Sequence, residues 1–73
     1  MANSIASVTA IAERVLDFTS REAWREICRM LTQDYGFRIG RDMSDVATEV
    51  WSERKRLRRE RQEARAAAKA AAA

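Results

Sequence analysis

Hydrophobic residues recur every three or four positions through the first half of the chain, which is the spacing of one face of an α-helix. From Ile5 to Phe18 they cover one wide arc at 100° per residue, opposite a polar arc. A second, narrower apolar stripe consists of Trp24, Ile27, Cys28, Leu31 and Tyr35. The spacing predicts two amphipathic helices, over about residues 4–18 and 20–35, with Trp24, Cys28 and Tyr35 in the core.

Local signals set the ends of these helices. The stretch TSRE at 19–22 matches a capping box, in which Thr19 and Glu22 each accept a hydrogen bond from the other residue's amide. Gly36 is expected to end the second helix in a left-handed conformation, with Phe37 making the hydrophobic contact of a Schellman motif. Asp42 is the predicted N-cap of the next helix.

A third helix is predicted from about residue 43 to near the end, because neither glycine nor proline follows Gly40. Some 28 residues at 1.5 Å each would span about 42 Å, well beyond its two neighbours. The predicted fold is therefore all-α, a small helical bundle of two short amphipathic helices and one long C-terminal helix that projects beyond the body. Residues 1–51 would form the helical body and residues 52–73 a basic, alanine-rich arm.

Charge is distributed unevenly between these two parts. Residues 1–51 carry six arginines against eight acidic residues, a balance of −2, whereas residues 52–73 carry eight Lys or Arg against three acidic residues, a balance of +5. Beyond Trp51 the only large apolar side chain is Leu57. Such an asymmetry indicates a partner with an acidic surface.

Around the third helix, basic and acidic residues are predicted to lie on opposite flanks of an apolar line. Trp51 falls within the basic flank, and Arg38 in the preceding loop is a further exposed cation. The candidate partner-binding residues are Trp51, Lys55, Arg58 and Arg65, then Arg54, Arg59 and Arg61, and finally Arg38.

Three interpretations of this helix are open. It is a solvated helix supported by Glu/Arg pairs, each worth about 0.2–0.5 kcal/mol, or a sequence-nonspecific nucleic-acid-binding helix, or a protein-docking helix anchored by tryptophan and arginine. The acidic flank speaks against nucleic acid, and the near absence of Asn and Gln from this helix means that any such binding would be sequence-blind or would rely on arginine. Docking on a protein with an acidic or apolar surface is therefore the favoured function, and nucleic-acid binding is the alternative.

The small size of the chain favours a homodimer, since 73 residues supply only a marginal core. The single cysteine cannot form an internal disulfide, which favours a reducing, cytoplasmic location. No apolar run approaches membrane-spanning length, and the N-terminus lacks the pattern of a signal peptide. We therefore expect no membrane association.

Catalysis is not expected. The chain has no histidine, and its one cysteine is predicted to lie in the core, so neither a nucleophile–base pair nor a metal site can be assembled from the usual residues. Gly36 and Gly40 are the only glycines, too few for a phosphate-binding loop. No cofactor and no metal are predicted.

In size and in its Arg- and Ala-rich composition, the chain is similar to the small early proteins of temperate phages from GC-rich hosts, although no family motif matches residue by residue. Such proteins commonly bind and disable a host regulator. The resemblance implies a non-catalytic binding protein that inhibits or regulates its partner.

Overall fold

The computed structural model describes the backbone of residues 5–72 and the side chains of residues 7–72. This range contains three α-helices and no strand: α1 is Ile5–Arg14, α2 is Ser20–Gln33 and α3 is Arg41–Ala72. The predicted all-α fold with a long C-terminal helix is confirmed. Both short helices pack against α3, and the core lies between the three.

The first helix is shorter than predicted and ends at Arg14 instead of residue 18. After Arg14 the backbone forms tighter turns, in which each amide donates to the carbonyl three residues earlier. The amides of Val15 and Leu16 do so at 3.3 Å each, and the amide of Phe18 does so at 3.2 Å. The predicted start at residue 4 lies outside the described residues. The tightened segment, residues 15–18, is the part of the chain that α3 later contacts.

The capping box at the start of α2 is confirmed. The amide of Glu22 donates to the Thr19 hydroxyl at 3.3 Å, and the Thr19 amide donates to the Glu22 carboxylate at 3.5 Å. Two amide donors of the first turn are thus satisfied by one residue pair.

We expect Thr19→Ala to lower the free energy of unfolding by about 1 kcal/mol, because the cap oxygen is lost while the helix amides remain. For a domain of this size that corresponds to a fall of about 4–8 °C in the melting temperature. Thermal unfolding followed by circular dichroism measures it, with Ser52→Ala on the exposed side of α3 as control. Equal melting temperatures for the two variants would show that the cap contributes nothing.

The end of α2 also follows the predicted signal, although the helix stops at Gln33 and not at residue 35. Gly36 has a φ of +73°, in the left-handed region. The amide of Phe37 donates to the Leu31 carbonyl at 2.9 Å, six residues earlier and one more than in the predicted Schellman motif. The chain therefore reverses here into the connector that leads to α3.

The third helix begins at Arg41, two residues earlier than predicted. The amide of Ser44 donates to the Gly40 carbonyl at 3.0 Å, so Gly40 occupies the N-cap position. The prediction that Asp42 caps the helix is wrong. Asp42 lies in the first turn instead, where its charge still favours the positive end of the helix dipole.

The core is small and made largely of medium-sized side chains. Its buried residues are Ile11, Ala12, Val15, Leu16, Ala23, Ile27, Met30, Leu31, Ala47 and Val50. The predictions that Trp24 and Tyr35 belong to it are wrong, since they are 41% and 47% exposed. Ala23 and Met30 are fully buried, and they centre the buried face of α2 away from both rings.

Cys28 is half-buried and not fully buried as predicted, and burial raises the pKa of its thiol.

The molecule is elongated, with extents of 50 × 26 × 17 Å. The 32 residues of α3 span about 48 Å at 1.5 Å per residue and account for the long axis. Its side chains are exposed from residue 58 to residue 72. The division into a body of 1–51 and an arm of 52–73 stays a prediction, and contacts between α3 and the segment after α1 continue as far as Arg61.

Candidate functional site

Two arginines of α3 bind the chain just beyond the end of α1. The side chain of Arg54 is 3% exposed, and it donates from Nε to the Val15 carbonyl at 3.0 Å and from Nη2 to the Phe18 carbonyl at 2.6 Å. One turn later, Arg58 donates from Nη1 to the Leu16 carbonyl at 2.6 Å. The end of a helix leaves carbonyl groups without intrahelical donors, and these charged donors bind to them.

A third arginine extends this contact to a carboxylate. Arg61 Nη1 lies 2.5 Å from Asp17 Oδ1. The hydrogen bond and charge of Arg61 hold the pKa of Asp17 below its usual range, and the charges of Arg58 and Arg65 act in the same direction. These four residues and Gln62 line an open cleft of about 310 Å³.

The position of Arg54 corrects the sequence prediction, which placed it on an exposed basic flank. Burial, and then the neighbouring charge of Arg58, lower the pKa of Arg54, and its guanidinium is used inside the molecule. Arg58 and Arg61 are exposed as expected but are bound to the segment after α1. In this conformation Arg54 is withheld from a partner.

Trp51 and Trp24 meet edge to face where α2 packs on α3. Their ring centroids are 5.7 Å apart, and the ring planes are inclined by 82°. The guanidinium carbon of Arg54 lies 5.0 Å from the Trp51 ring centroid, within cation–π range. Trp51 is half-buried against the core, whereas Trp24 keeps 41% of its surface exposed. The site is thus a fixed aromatic pair with one ring open to solvent.

Three of the predicted cations, together with Lys69, remain available on α3. Lys55, Arg59, Arg65 and Lys69 are exposed, and none of them has a hydrogen bond or an ion pair among the residues that the structure describes. All but Lys69 belong to the predicted set. Lys55 follows Trp51 by one helical turn and therefore lies beside the tryptophan pair.

Two acidic residues of α3, Glu53 and Glu60, are paired within the helix. Arg56 bridges Glu53 and Glu60, and its guanidinium lowers the pKa of Glu53 through a hydrogen bond. Glu53 also accepts a hydrogen bond from the Thr9 hydroxyl of α1 at 3.0 Å. The acidic residues therefore serve contacts of their own on the side away from Trp51.

Arg38 is exposed but lies apart from the other candidates. It belongs to the connector before α3, where residues 36–42 line a separate open cleft. The path along α3 from Arg41 to Arg54 is about 20 Å. The structure therefore brings Trp51 and Lys55 together and leaves Arg38 elsewhere.

Trp24 and Arg21 are surface residues that sequence reasoning did not select. Arg21 precedes Trp24 by one helical turn, so both lie on the same side of α2. The sequence does contain a signal for the exposure of Trp24. If Ala23 and Met30 are counted with Ile27, the apolar face of α2 is centred on these three residues and Trp24 falls at its edge. We define the tryptophan surface as Arg21, Trp24, Trp51 and Lys55.

Comparison of the chain with protein-family models, with curated protein sequences and with solved structures found no match. Among residues 5–72, none of the helices combines the length and the apolar character needed to cross a bilayer. Within the same range, no three His, Cys, Asp or Glu side chains are grouped so that they could hold a metal ion.

Proposed function

We propose that this chain is a non-catalytic binding protein that docks on another protein through the tryptophan surface and thereby inhibits or regulates it. The observation that carries the proposal is the 41% exposure of Trp24, whose ring is held edge-on against Trp51. Tryptophan and arginine are the residues that dominate binding energy at protein interfaces.

The aromatic pair supports docking because it is already fixed in place. A side chain that is ordered before binding loses little conformational entropy when a partner arrives. The T-shaped contact restrains Trp24, and the neighbouring Arg54 guanidinium restrains Trp51. A partner would therefore meet a rigid apolar ring of the kind found at the centre of interfaces.

The charges around the pair indicate the chemistry of the partner. Arg21 and Lys55 flank the rings, and neither forms an ion pair within residues 7–72. The acidic residues Glu53 and Glu60 are held by Arg56 on another side of α3. The complementary surface is thus an apolar pocket with an acidic rim.

The test is a pull-down from a lysate of the source cells, with and without nuclease, followed by affinity measurement on the captured protein. Trp24→Ala should weaken binding about 30-fold, the effect of losing an interface anchor worth about 2 kcal/mol. Phe18→Ala, which removes another exposed aromatic ring elsewhere, is the matched control. Lys55→Glu should weaken binding far more than Lys69→Glu, which makes the same charge change on the distal arm.

If Trp24→Ala binds as tightly as Phe18→Ala, the tryptophan surface is not the docking site. If Trp51 and the arginines are purely structural and the chain has no partner, the pull-down should retain no other protein after nuclease treatment.

Nucleic-acid binding is the second candidate, and it is favoured by Lys55, Arg59, Arg65 and Lys69 on α3, which form no ion pair within the described part of the chain. It is weakened by the use of Arg54, Arg58 and Arg61 on the segment after α1. If it holds, the affinity for DNA should fall steeply with salt, by a slope of about −0.9 for each phosphate neutralised. A weak salt dependence in a mobility-shift titration would favour the protein partner.

A homodimer is part of the proposal. A compact monomer of 8.3 kDa would expose about 4,600 Å², whereas this chain exposes 5563 Å². The excess of about 1,000 Å² is comparable to the roughly 800 Å² that each partner buries in a standard interface. Sedimentation equilibrium at several concentrations tests it. The proposed cytoplasmic location depends on the single cysteine, Cys28.

A further inference from the structure

We infer that two copies of this chain associate by exchanging Ile39: the side chain of each copy enters an apolar cleft at the same end of the other. The inference rests on the proposed homodimer and assigns its contact to the connector before α3. It is independent of the tryptophan surface, which lies farther along that helix.

Ile39 is the most exposed large hydrophobic side chain of the described residues, at 85%. It lies in the connector between the left-handed turn at Gly36 and the N-cap at Gly40, both of which fix the path of the chain. Within this chain the side chain of Ile39 gains nothing from burial, so a contact with another molecule would remove it from water at little cost in backbone order.

The apolar cleft shares Phe37 with the open cleft that contains Ile39, and its size matches that side chain. It has a volume of about 120 Å³ and is lined mainly by Val8, Ile11, Leu31, Tyr35, Phe37 and Val46. That volume equals about four water molecules at roughly 30 Å³ each in the liquid. It is therefore comparable to the four carbon atoms of an isoleucine side chain. The half-exposed ring of Tyr35 forms part of the wall and would be covered as well.

Charges around the two features are complementary. Arg38, Arg41 and Asp42 line the open cleft that also contains Ile39, a balance of one positive charge, while Asp34 adjoins Tyr35 of the apolar cleft. All four are exposed, and none forms a salt bridge among the residues that the structure describes. Facing the same end of a second copy, the two arginines beside Ile39 would meet Asp34.

The contact can close on itself. Phe37 lines the cleft and is only two residues from Ile39, so the inserted side chain and the receiving cleft belong to one patch. A two-fold axis through that patch places each Ile39 in the other copy's cleft, which gives a closed dimer and not a filament.

Sedimentation equilibrium of the full chain and of Ile39→Asp tests the inference. The wild-type protein should have twice the 8.3 kDa mass of one chain, and Ile39→Asp should raise the dimer dissociation constant by about 100-fold or more, because each dimer loses two buried isoleucines. Ile39 is exposed in the single chain, so circular dichroism should show the variant folded. Arg38→Glu should weaken the dimer, and the added substitution Asp34→Lys should restore it in part.

Two outcomes overturn the inference, and they are distinguishable. A wild-type protein that stays monomeric removes the proposed homodimer itself. A dimer that Ile39→Asp leaves intact keeps the homodimer and moves its contact elsewhere. In either case the effect of Trp24→Ala on partner capture is unchanged, so the docking proposal is judged separately.

Discussion

Replacing Arg54 by alanine should lower the free energy of unfolding by about 3–4 kcal/mol and leave much of the protein unfolded at room temperature. The substitution removes two hydrogen bonds from a charged donor, to the carbonyls of Val15 and Phe18, at about 1.5–3 kcal/mol each. Part of this loss is recovered where water reaches the Phe18 carbonyl. A single core of this size rarely supplies more than about 3–5 kcal/mol, so little stability remains.

Urea unfolding followed by circular dichroism measures the effect. Lys55→Ala is the matched control, since it removes a cation one residue away that is exposed and has no hydrogen bond in the described part of the chain. Arg54→Lys should fall between the two, because one ammonium group cannot reproduce a guanidinium fork. An Arg54→Ala protein as stable as Lys55→Ala would show that the carbonyls of residues 15–18 are satisfied by water.

Replacing Trp51 by alanine should lower the free energy of unfolding by about 3 kcal/mol, within the range for large aromatic truncations. The ring packs on the core, meets Trp24 edge-on and lies under the guanidinium of Arg54. Its removal would open a cavity and expose the buried arginine to water. Chemical unfolding of Trp51→Phe alongside it should show a smaller loss, because a shorter aromatic ring keeps part of the packing.

Two comparisons test this explanation. Trp24→Ala should cost about 1 kcal/mol or less, since Trp24 is 41% exposed and loses mainly the aromatic pair. A double-mutant cycle with Trp51→Leu, which removes the aromatic face, and Arg54→Met, which removes the charge, should give a coupling of about 0.5–2 kcal/mol if the cation–π contact stabilises the fold. Additive effects would show that the two side chains stabilise the fold independently.

These expectations bear on how a docking surface can be tested in this protein. Trp51 and Arg58 look like interface residues in the sequence, but they also hold α3 against the rest of the chain. A loss of binding after Trp51→Ala would therefore report unfolding as readily as a lost contact. Substitutions at Trp24 and Lys55 distinguish a lost contact from unfolding, because both side chains are exposed and neither is part of the core.

Several of the arginines in α3 have a structural role that the amino-acid composition does not reveal. Arg54, Arg58 and Arg61 lie three or four residues apart, on the side of α3 that faces the segment after α1. Together they satisfy three carbonyl groups and one carboxylate. What resembles a uniform basic flank is a structural cluster followed by cations that form no ion pair among residues 7–72.

Local chemistry in the sequence was sufficient to predict the elements of this fold. The capping box at Thr19 and the left-handed Gly36 depend only on neighbouring residues, and both were predictable because their hydrogen bonds close within a few positions. The long α3 follows from a stretch of strong helix formers without glycine or proline. The end of α1 was mispredicted because its last turn depends on donors some forty residues away.

The tertiary structure decided which side chains those helices bury. An arginine on a polar stretch gives no sign of burial, and Arg54 enters the interior only because α1 ends opposite it and presents carbonyl oxygens. Trp24 leaves the core for a related reason: the angle at which α2 meets α3 sets the centre of its buried face at Ala23, Ile27 and Met30. Helical periodicity is a property of one segment, whereas burial is a relation between segments, so the candidate site needed both.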